Sequence, residues 1–215
     1  MGRPLIYYTI QTALDSKLFD KIIVSTNDKK TSEIASQLGA EVPFLRPESI
    51  SSSSSTDIEW VKLAIDDWLT LDDKDFFCIL RPTNPLRKSN TVRKAMKFFE
   101  ESTDADCLRA VRPVKEHPGK MWFKSPDGFI SPYLSAHSKS GQSPMHSSPI
   151  QDLFEIWVQD ASLEITSAGF VRENNLIAGG KIIGYEMPGW EGFDVNYPED
   201  LDYLNFLISS GLASL

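Results

Sequence analysis

Phe76-Phe77-Cys78-Ile79-Leu80-Arg81-Pro82-Thr83-Asn84-Pro85-Leu86-Arg87 is an unbroken apolar run that passes directly into a polar loop. A short apolar run without alternation is the mark of a strand buried on both faces, as in parallel sheets covered by helices. The loop behind it is stiff, because Pro82 and Pro85 fix their own φ angles. Outward from this strand, helical and strand patterns alternate. Upstream, Pro4–Ser16 has helical spacing, Lys21–Thr26 (KIIVST) reads as a second buried strand, Asp28–Leu38 as a helix ended by Gly39, and Glu41–Leu45 as a short strand. Thr56–Leu69 has a helical apolar face of Ile58, Val61, Ile65, Trp68 and Leu69. Downstream, Ser89–Phe99 reads as a helix that Ser89 caps, Leu108–Val111 as a strand, and Ala161–Ile165 and Lys181–Tyr185 as further strands before a last helix over Pro198–Ser209.

This alternation predicts an α/β fold, a doubly wound and mostly parallel sheet with helices on both faces. One stretch breaks the pattern. Lys115–Glu155 is rich in Pro, Ser, Gly and His, and reads as an excursion from the sheet with a hairpin at Asp127-Gly128, flanked by Met121-Trp122-Phe123 and Phe129-Ile130. Doubly wound domains commonly open on a strand whose following loop holds phosphates. Here the first pattern is a helix, so a single domain over 1–215 is expected to be incomplete at its front, with no residues for that loop.

The bulk composition narrows the function classes. The 215 residues are 41% hydrophobic and 24% charged, ordinary for a globular chain. A formal charge of −8 with no basic stripe argues against nucleic acid as a partner. No apolar run approaches the length of a membrane span, and the start resembles no signal peptide. Cys78 and Cys107 sit in or beside apolar runs and read as reduced core residues, which points to the cytoplasm. The histidines, His117, His137 and His146, are scattered and form no zinc pattern.

Several constellations can carry chemistry. In an open parallel sheet, ligands collect beyond the carboxyl ends of strands, where Arg81-Pro82-Thr83-Asn84-Pro85-Leu86-Arg87 lies. Arg81 and Arg87 suit bidentate pairing with phosphate or carboxylate, and the same loop equally reads as a rigid surface turn. Asp194 and Asn196 share one face of an extended segment, an oxygen pair that suits a hard cation; Asp194 reads equally as a capping carboxylate. Glu199 and Asp200 fit the first turn of the last helix. Asn27 or Asp28 caps the helix after KIIVST. From Arg46 to Thr56 a serine-rich loop offers hydroxyls and amides to a base or ribose, and Gln159 and Asp160 precede an apolar strand as candidate sugar readers.

Together these segments resemble the acylneuraminate cytidylyltransferase family, the CMP–sugar-acid synthetases. Gly2-Arg3-Pro4-Leu5-Ile6 is similar to that family's GKPLI, and KIIVSTND (from Lys21) to its IIVSTDD. Gly39–Pro47 (GAEVPFLRP) matches in full, Arg81–Arg87 is similar to QPTSPLR, and Gly192–Leu201 to GFDIDTPEDL. The resemblance implies a three-layer, Rossmann-like nucleotidyltransferase of GT-A-like type, with a mixed, mostly parallel sheet and a small β excursion. It implies a reaction in which a sialic-acid-like hydroxyl attacks the α-phosphate of CTP and pyrophosphate leaves, with Mg²⁺ as cofactor. Residue by residue, it assigns Asp194 and Arg81 to catalysis, and Asp194 and Asn196 to the metal. Arg46, Ser55, Thr56, Thr83 and Asn84 fall to the nucleotide, and Arg87, Gln151, Gln159 and Asp160 to the sugar. The excursion, 115–155, is expected to form a homodimer contact and to complete the sugar pocket. The chain departs from the family at Asn196 (usually aspartate), Arg81 (usually glutamine) and Ile150 (usually the arginine of PRQ), and its phosphate-loop motif ahead of GKPLI has no counterpart. These departures leave two alternatives in view: a non-catalytic member acting as a binding partner, and a transferase for a different nucleotide or sugar.

Overall fold

The computed structural model describes residues 2–52 and 54–215; Met1 and Ser53, the latter within the Ser51–Ser55 tract, lie outside it. The chain divides into two compact units, Met1–Val111 with Asp160–Leu215, and Arg112–Gln159.

In the larger unit, α1 (Leu5–Ser16) follows Pro4, and α2 (Lys29–Gln37) is capped by Asp28, whose Oδ2 accepts from Thr31 N–H at 2.7 Å. The helix α3 (Asp57–Leu63) starts in a capping box of Thr56 and Glu59 and continues as a π-helical turn over Ala64–Trp68. The strand β1 (Phe76–Ile79) and helix α4 (Ser89–Glu101) follow, and Lys88, not Ser89, holds the cap position without a side-chain bond. Next come β2 (Cys107–Pro113), the hairpin strands β3 (Trp122–Lys124) and β4 (Ile130–Pro132), β5 (Trp157–Ser167), α5 (Ala168–Asn174), β6 (Ile182–Glu186) and α6 (Pro198–Ser209).

The main sheet among the described residues has the order β1-β5-β2-β6 and is mixed: β1 pairs antiparallel with β5, and β2 pairs parallel with β6. Successive side chains of β1 point to opposite faces, so one strand serves two cores. Cys78 and Leu80 join Val92, Ala95, Phe99, Leu108 and Ile165 on the α4 side. Phe77 and Ile79 join Val61, Ile65, Ala168 and Val171 under α3 and α5. This is the helix–sheet–helix layering that the apolar run predicts.

Two expected strands are reduced. KIIVST and the segment from Glu41 meet only at one parallel bridge, Ile23 to Glu41, held by Val24 N–H to Glu41 O (2.9 Å) and Glu41 N–H to Ile22 O (2.8 Å). Their apolar side chains still pack, with Ile22, Val24 and Val42 against Ile10, Ala35 and Ala40. Strand character needs a ladder of successive bridges, and these two segments share only one. The helix α5 follows β5 directly, with Ser167 Oγ accepting from Phe170 N–H at 3.1 Å.

The smaller unit is a hairpin with 3₁₀ turns. Its strands pair Trp122 with Pro132, Phe123 with Ser131 and Lys124 with Ile130, and Gly128 takes the positive φ (92°) that the turn requires. Met145 and Leu153 are buried, while Phe123, Phe129 and Ile130 are exposed.

Candidate functional site

The loop after β1 is built from the inside out. Arg87 is 2% exposed, with its guanidinium donating to Ser162 O, to Thr9 Oγ1 (3.0 Å) and to Arg81 O (3.2 Å). Thr9 Oγ1 also donates to Arg81 O (3.1 Å), and Thr12 Oγ1 to Arg87 O (3.0 Å), so α1 clamps both ends of the loop. Burial pushes the Arg87 pKa down to about 10, against the pull of Cys78, Asp160 and Glu191, and it stays charged at neutral pH. Arg87, expected at the sugar, is therefore placed inside the fold. The side chain faces the interior, where it satisfies backbone carbonyls and has no exposed donor fork for a ligand.

Arg81 points elsewhere. Its guanidinium pairs with the Asp57 carboxylate at the start of α3 and lies 3.6 Å from Glu164, which Arg109 holds at 3.0 Å. Glu164 is 4% exposed, whereas Arg81 keeps a third of its side chain open. Burial lowers the Arg81 pKa, but Asp57 and Glu164 more than offset it and hold it above its ordinary value. For Asp57, burial works upward, and the hydrogen bonds from Arg81 and Trp60 outweigh it, so its carboxyl lies below the usual 3.8.

The middle of the loop joins the Gly192–Tyr197 segment. Val195 N–H donates to Thr83 O (2.9 Å), and Asn84 Nδ2 donates to Phe193 O (3.2 Å) from a side chain 1% exposed. The loop therefore brings Thr83, Asn84 and Asp194 together. Asp194 Oδ2 accepts from Asn196 Nδ2 (2.9 Å), while Asp194 Oδ1 is buried with no partner, as is Asn84 Oδ1. Gly192 is required here: a Cβ on it would lie 2.3 Å from Asp160 Oδ2. Asp160 is 5% exposed, and its Oδ1 accepts from Ser162 N–H (3.1 Å) and Ser162 Oγ. Asp160, expected at the sugar, thus lies buried against the Gly192 backbone.

The remaining candidates have local partners. Arg46 N–H donates to Thr26 O (2.8 Å) and its Nε to Ser51 Oγ (3.2 Å). Ser55 Oγ accepts from Ser52 N–H (3.0 Å), and Thr56 Oγ1 donates to Glu59 (3.2 Å). Asp200 accepts from Asn196 N–H and Tyr197 N–H, both at 2.8 Å, and so caps α6. Gln151 and Gln159 belong to the smaller unit and are exposed there. The residues missed in the sequence are Asp57, Arg109, Glu164, Thr9 and Gly192. Only Glu164 left a signal: Asp160, Ser162 and Glu164 alternate with Ala161, Leu163 and Ile165, a period-two polar face.

The two oxygens at Asp194 and Asn84 fit a hard cation in kind, an anionic and a neutral oxygen, both without a hydrogen-bond partner. Asn196 turns its amide nitrogen to Asp194, and rotation of that amide would present its oxygen instead. Among the described residues no group of three or more His, Cys, Asp or Glu side chains is placed to hold a metal by itself.

Residues 1–119 match the cytidylyltransferase family. The N-acylneuraminate cytidylyltransferase of Streptococcus agalactiae serotype III (strain NEM316) is 28% identical over 202 residues, covering 93% of this chain and 46% of that protein. The CMP-N,N'-diacetyllegionaminic acid synthase of Legionella pneumophila (strain Philadelphia 1) is 35% identical over 130 residues, 59% of this chain and 53% of that one. Among solved structures, a CMP:2-keto-3-deoxy-manno-octonic acid synthetase complexed with CTP superposes with a TM-score of 0.65 at 9% identity, over 98% of this chain and 90% of its own, which supports the fold alone. The chain spans about half the length of the S. agalactiae protein, 46%. The match over the first half of the chain, with the α/β architecture around the Arg81–Arg87 loop, places this chain in the cytidylyltransferase family.

Proposed function

We propose that this chain carries a site for transferring CMP from CTP to a sialic-acid-like sugar acid, with release of pyrophosphate. The observation that carries the reading is the bond from Val195 N–H to Thr83 O, which ties the loop of Arg81, Thr83 and Asn84 to the segment of Asp194. Arg81 offers a partly open guanidinium for phosphate charge, and Asp194 an oxygen with no internal partner. Asp194, with Asn84 or Asn196, would hold Mg²⁺, which supplies charge neutralisation at the phosphates when bound. Arg46, Ser55 and Thr56 frame the nucleotide side, while Gln151 and Gln159 are the remaining sugar candidates. The relatives' printed names, an N-acylneuraminate cytidylyltransferase and a CMP-N,N'-diacetyllegionaminic acid synthase, support a sialic-acid-like sugar acid as the acceptor class.

The chain is proposed to act as a homodimer through its excursion, because Phe123, Phe129 and Ile130 form an exposed apolar surface on a two-stranded hairpin. The free thiols support a reducing, cytoplasmic setting, and among the described residues no helix is long and apolar enough to cross a membrane.

The test is pyrophosphate release from CTP with a panel of sugar acids, run on the chain and on Asp194→Ala. Metal-dependent turnover by the chain and a loss of at least about a hundredfold in the variant support the reading. Equal turnover by both refutes the role of Asp194. A chain that binds CTP calorimetrically without turnover moves the reading to a non-catalytic binding member, which the neutral Asn196 favours.

A further inference from the structure

Four side chains of alternating charge form a row across the larger unit. Arg109 of β2, Glu164 of β5, Arg81 just past β1 and Asp57 at the start of α3 follow one another in that order. Alternation along the strands puts them on one side of the sheet. Leu108, Ala110, Leu163 and Ile165 pack on the α4 side, so Arg109 and Glu164 point to the other. Arg109 Nη1 lies 3.0 Å from Glu164 Oε2, and Arg81 Nη2 lies 3.6 Å from Glu164 Oε1. Glu164 therefore divides its two oxygens between two arginines. Asp57 Oδ2 holds the same Arg81 nitrogen from outside.

The two carboxylates differ in their surroundings. The side chain of Glu164 is 4% exposed, and that of Asp57 is 37% exposed. Water screens an exposed ion pair, and ordering two side chains works against it. A buried charge that loses its partner is left uncompensated, at a much higher cost. Asp57 makes the closer contact, yet Glu164 is the partner that holds Arg81 more firmly. Asp57 also has somewhere else to turn. Its Oδ1 accepts from Trp60 Nε1 (3.0 Å), and the charge of Arg46 acts on it as well. Solvent reaches Arg81 from the Asp57 side, because Glu164 behind it is closed off.

We propose that Glu164 is the positioning residue for Arg81, and that Asp57 is a placeholder which an anionic group of a substrate displaces. The substrate part of this inference rests on the transfer site proposed above. In the exchange Arg81 keeps Glu164 and Asp57 keeps Trp60. The incoming phosphate or carboxylate takes the outer side of the guanidinium, where a planar fork of donors matches two oxygens. Arg109 holds Glu164 throughout, so the buried carboxylate is never left unpaired.

The first test is NMR of the Arg81 Nε–H in the 215-residue chain. This atom is buried with no hydrogen-bond partner, so its exchange reports how firmly the side chain is held. Glu164→Gln keeps the shape and an accepting oxygen and removes the charge. Exchange of the Arg81 Nε–H should quicken by about tenfold or more in that variant and stay slow in Asp57→Asn. A Glu164 that only supports the fold would lower the melting temperature and leave this signal unchanged, which overturns the proposal. A mobile Arg81 in Asp57→Asn also overturns it, and that partly exposed position decides the matter even where Glu164→Gln does not fold. The second test is calorimetric titration with inorganic phosphate and with acetate. Asp57→Asn should bind one of them about two- to fivefold more tightly than wild type, the worth of an exposed ion pair. A preference for phosphate assigns the displacing group to the nucleotide, and a preference for acetate assigns it to the sugar acid. Equal binding by both proteins, or none by either, overturns the placeholder role. Neither test needs turnover, so a chain that releases no pyrophosphate counts against the transfer reading alone.

Discussion

Replacing Arg87 with methionine separates a structural role from a ligand-binding one. Methionine keeps the length of the side chain and removes the charge. The native guanidinium makes three bonds, to Ser162 O, Thr9 Oγ1 and Arg81 O. Bonds from a charged donor are worth about 1.5–3 kcal/mol each, so their gross loss is about 4–9 kcal/mol. Part of this is regained. Burial moves the Arg87 pKa from 12.5 to about 10, and a neutral side chain escapes that charging cost of about 3 kcal/mol. The expected net destabilisation is about 1–6 kcal/mol, up to a large share of a domain's stability. Urea unfolding followed by tryptophan fluorescence measures it as a drop in midpoint at constant m-value. Because the folded-state pKa is depressed, the unfolded chain holds more protons between pH 10 and 12.5. Wild-type stability therefore rises over that window by this term, and the variant lacks it. A variant as stable as the parent that has lost sugar-acid affinity would refute the reasoning and return Arg87 to the substrate.

Three further outcomes follow from the same geometry. Asp57→Asn should remove part of the acid sensitivity: the carboxyl is depressed below 3.8 in the folded chain, so its contribution is present above that value and lost as pH falls through the folded pKa. Acid unfolding curves that superpose for both proteins would contradict the Arg81 pairing. Gly192→Ala should cost about 1–3 kcal/mol and loosen the Asp194 segment, since the new Cβ meets Asp160 Oδ2 at 2.3 Å; a thermal melt unchanged from wild type would show that the wall gives way freely. Burial pushes the Cys78 thiol up to about 12 and also raises Cys107, so neither should react quickly with a thiol reagent at pH 8, while both should after urea unfolding. Rapid stoichiometric labelling of the native chain would disprove this.

Sequence alone read most of the elements in their order, α1 to α4, β1, β2, the hairpin, β5, β6 and α6, because apolar periodicity, caps and turn residues are local. Phe76–Leu80 read correctly as a strand, found over Phe76–Ile79 and packed on two faces although Phe76 itself is exposed, Pro198–Ser209 as the last helix and Asp127-Gly128 as the hairpin turn. The motif order located the family, and it put Thr83, Asn84 and Asp194 on two segments that the fold joins through Val195 N–H to Thr83 O and Asn84 Nδ2 to Phe193 O. The seven-residue α5 went unread, since it is too short to show a period, as did the π-helical end of α3.

Only the tertiary structure decided what each polar side chain does. Arg81 and Arg87 look alike in sequence, yet one leans on Asp57 and Glu164 at the surface and the other is buried among carbonyls. Asp57, the partner of Arg81, lies 24 residues away in helix α3, and two partners of Arg87, Ser162 and Thr9, lie 75 and 78 residues away in β5 and α1. KIIVST has every local mark of a strand, but a strand needs a ladder of successive bridges, and this segment finds only the one from Ile23 to Glu41. Local patterning specifies which way a segment prefers to bend and which face it hides. Hydrogen bonds and ion pairs depend on what the rest of the chain places opposite, and that is settled only when the chain packs.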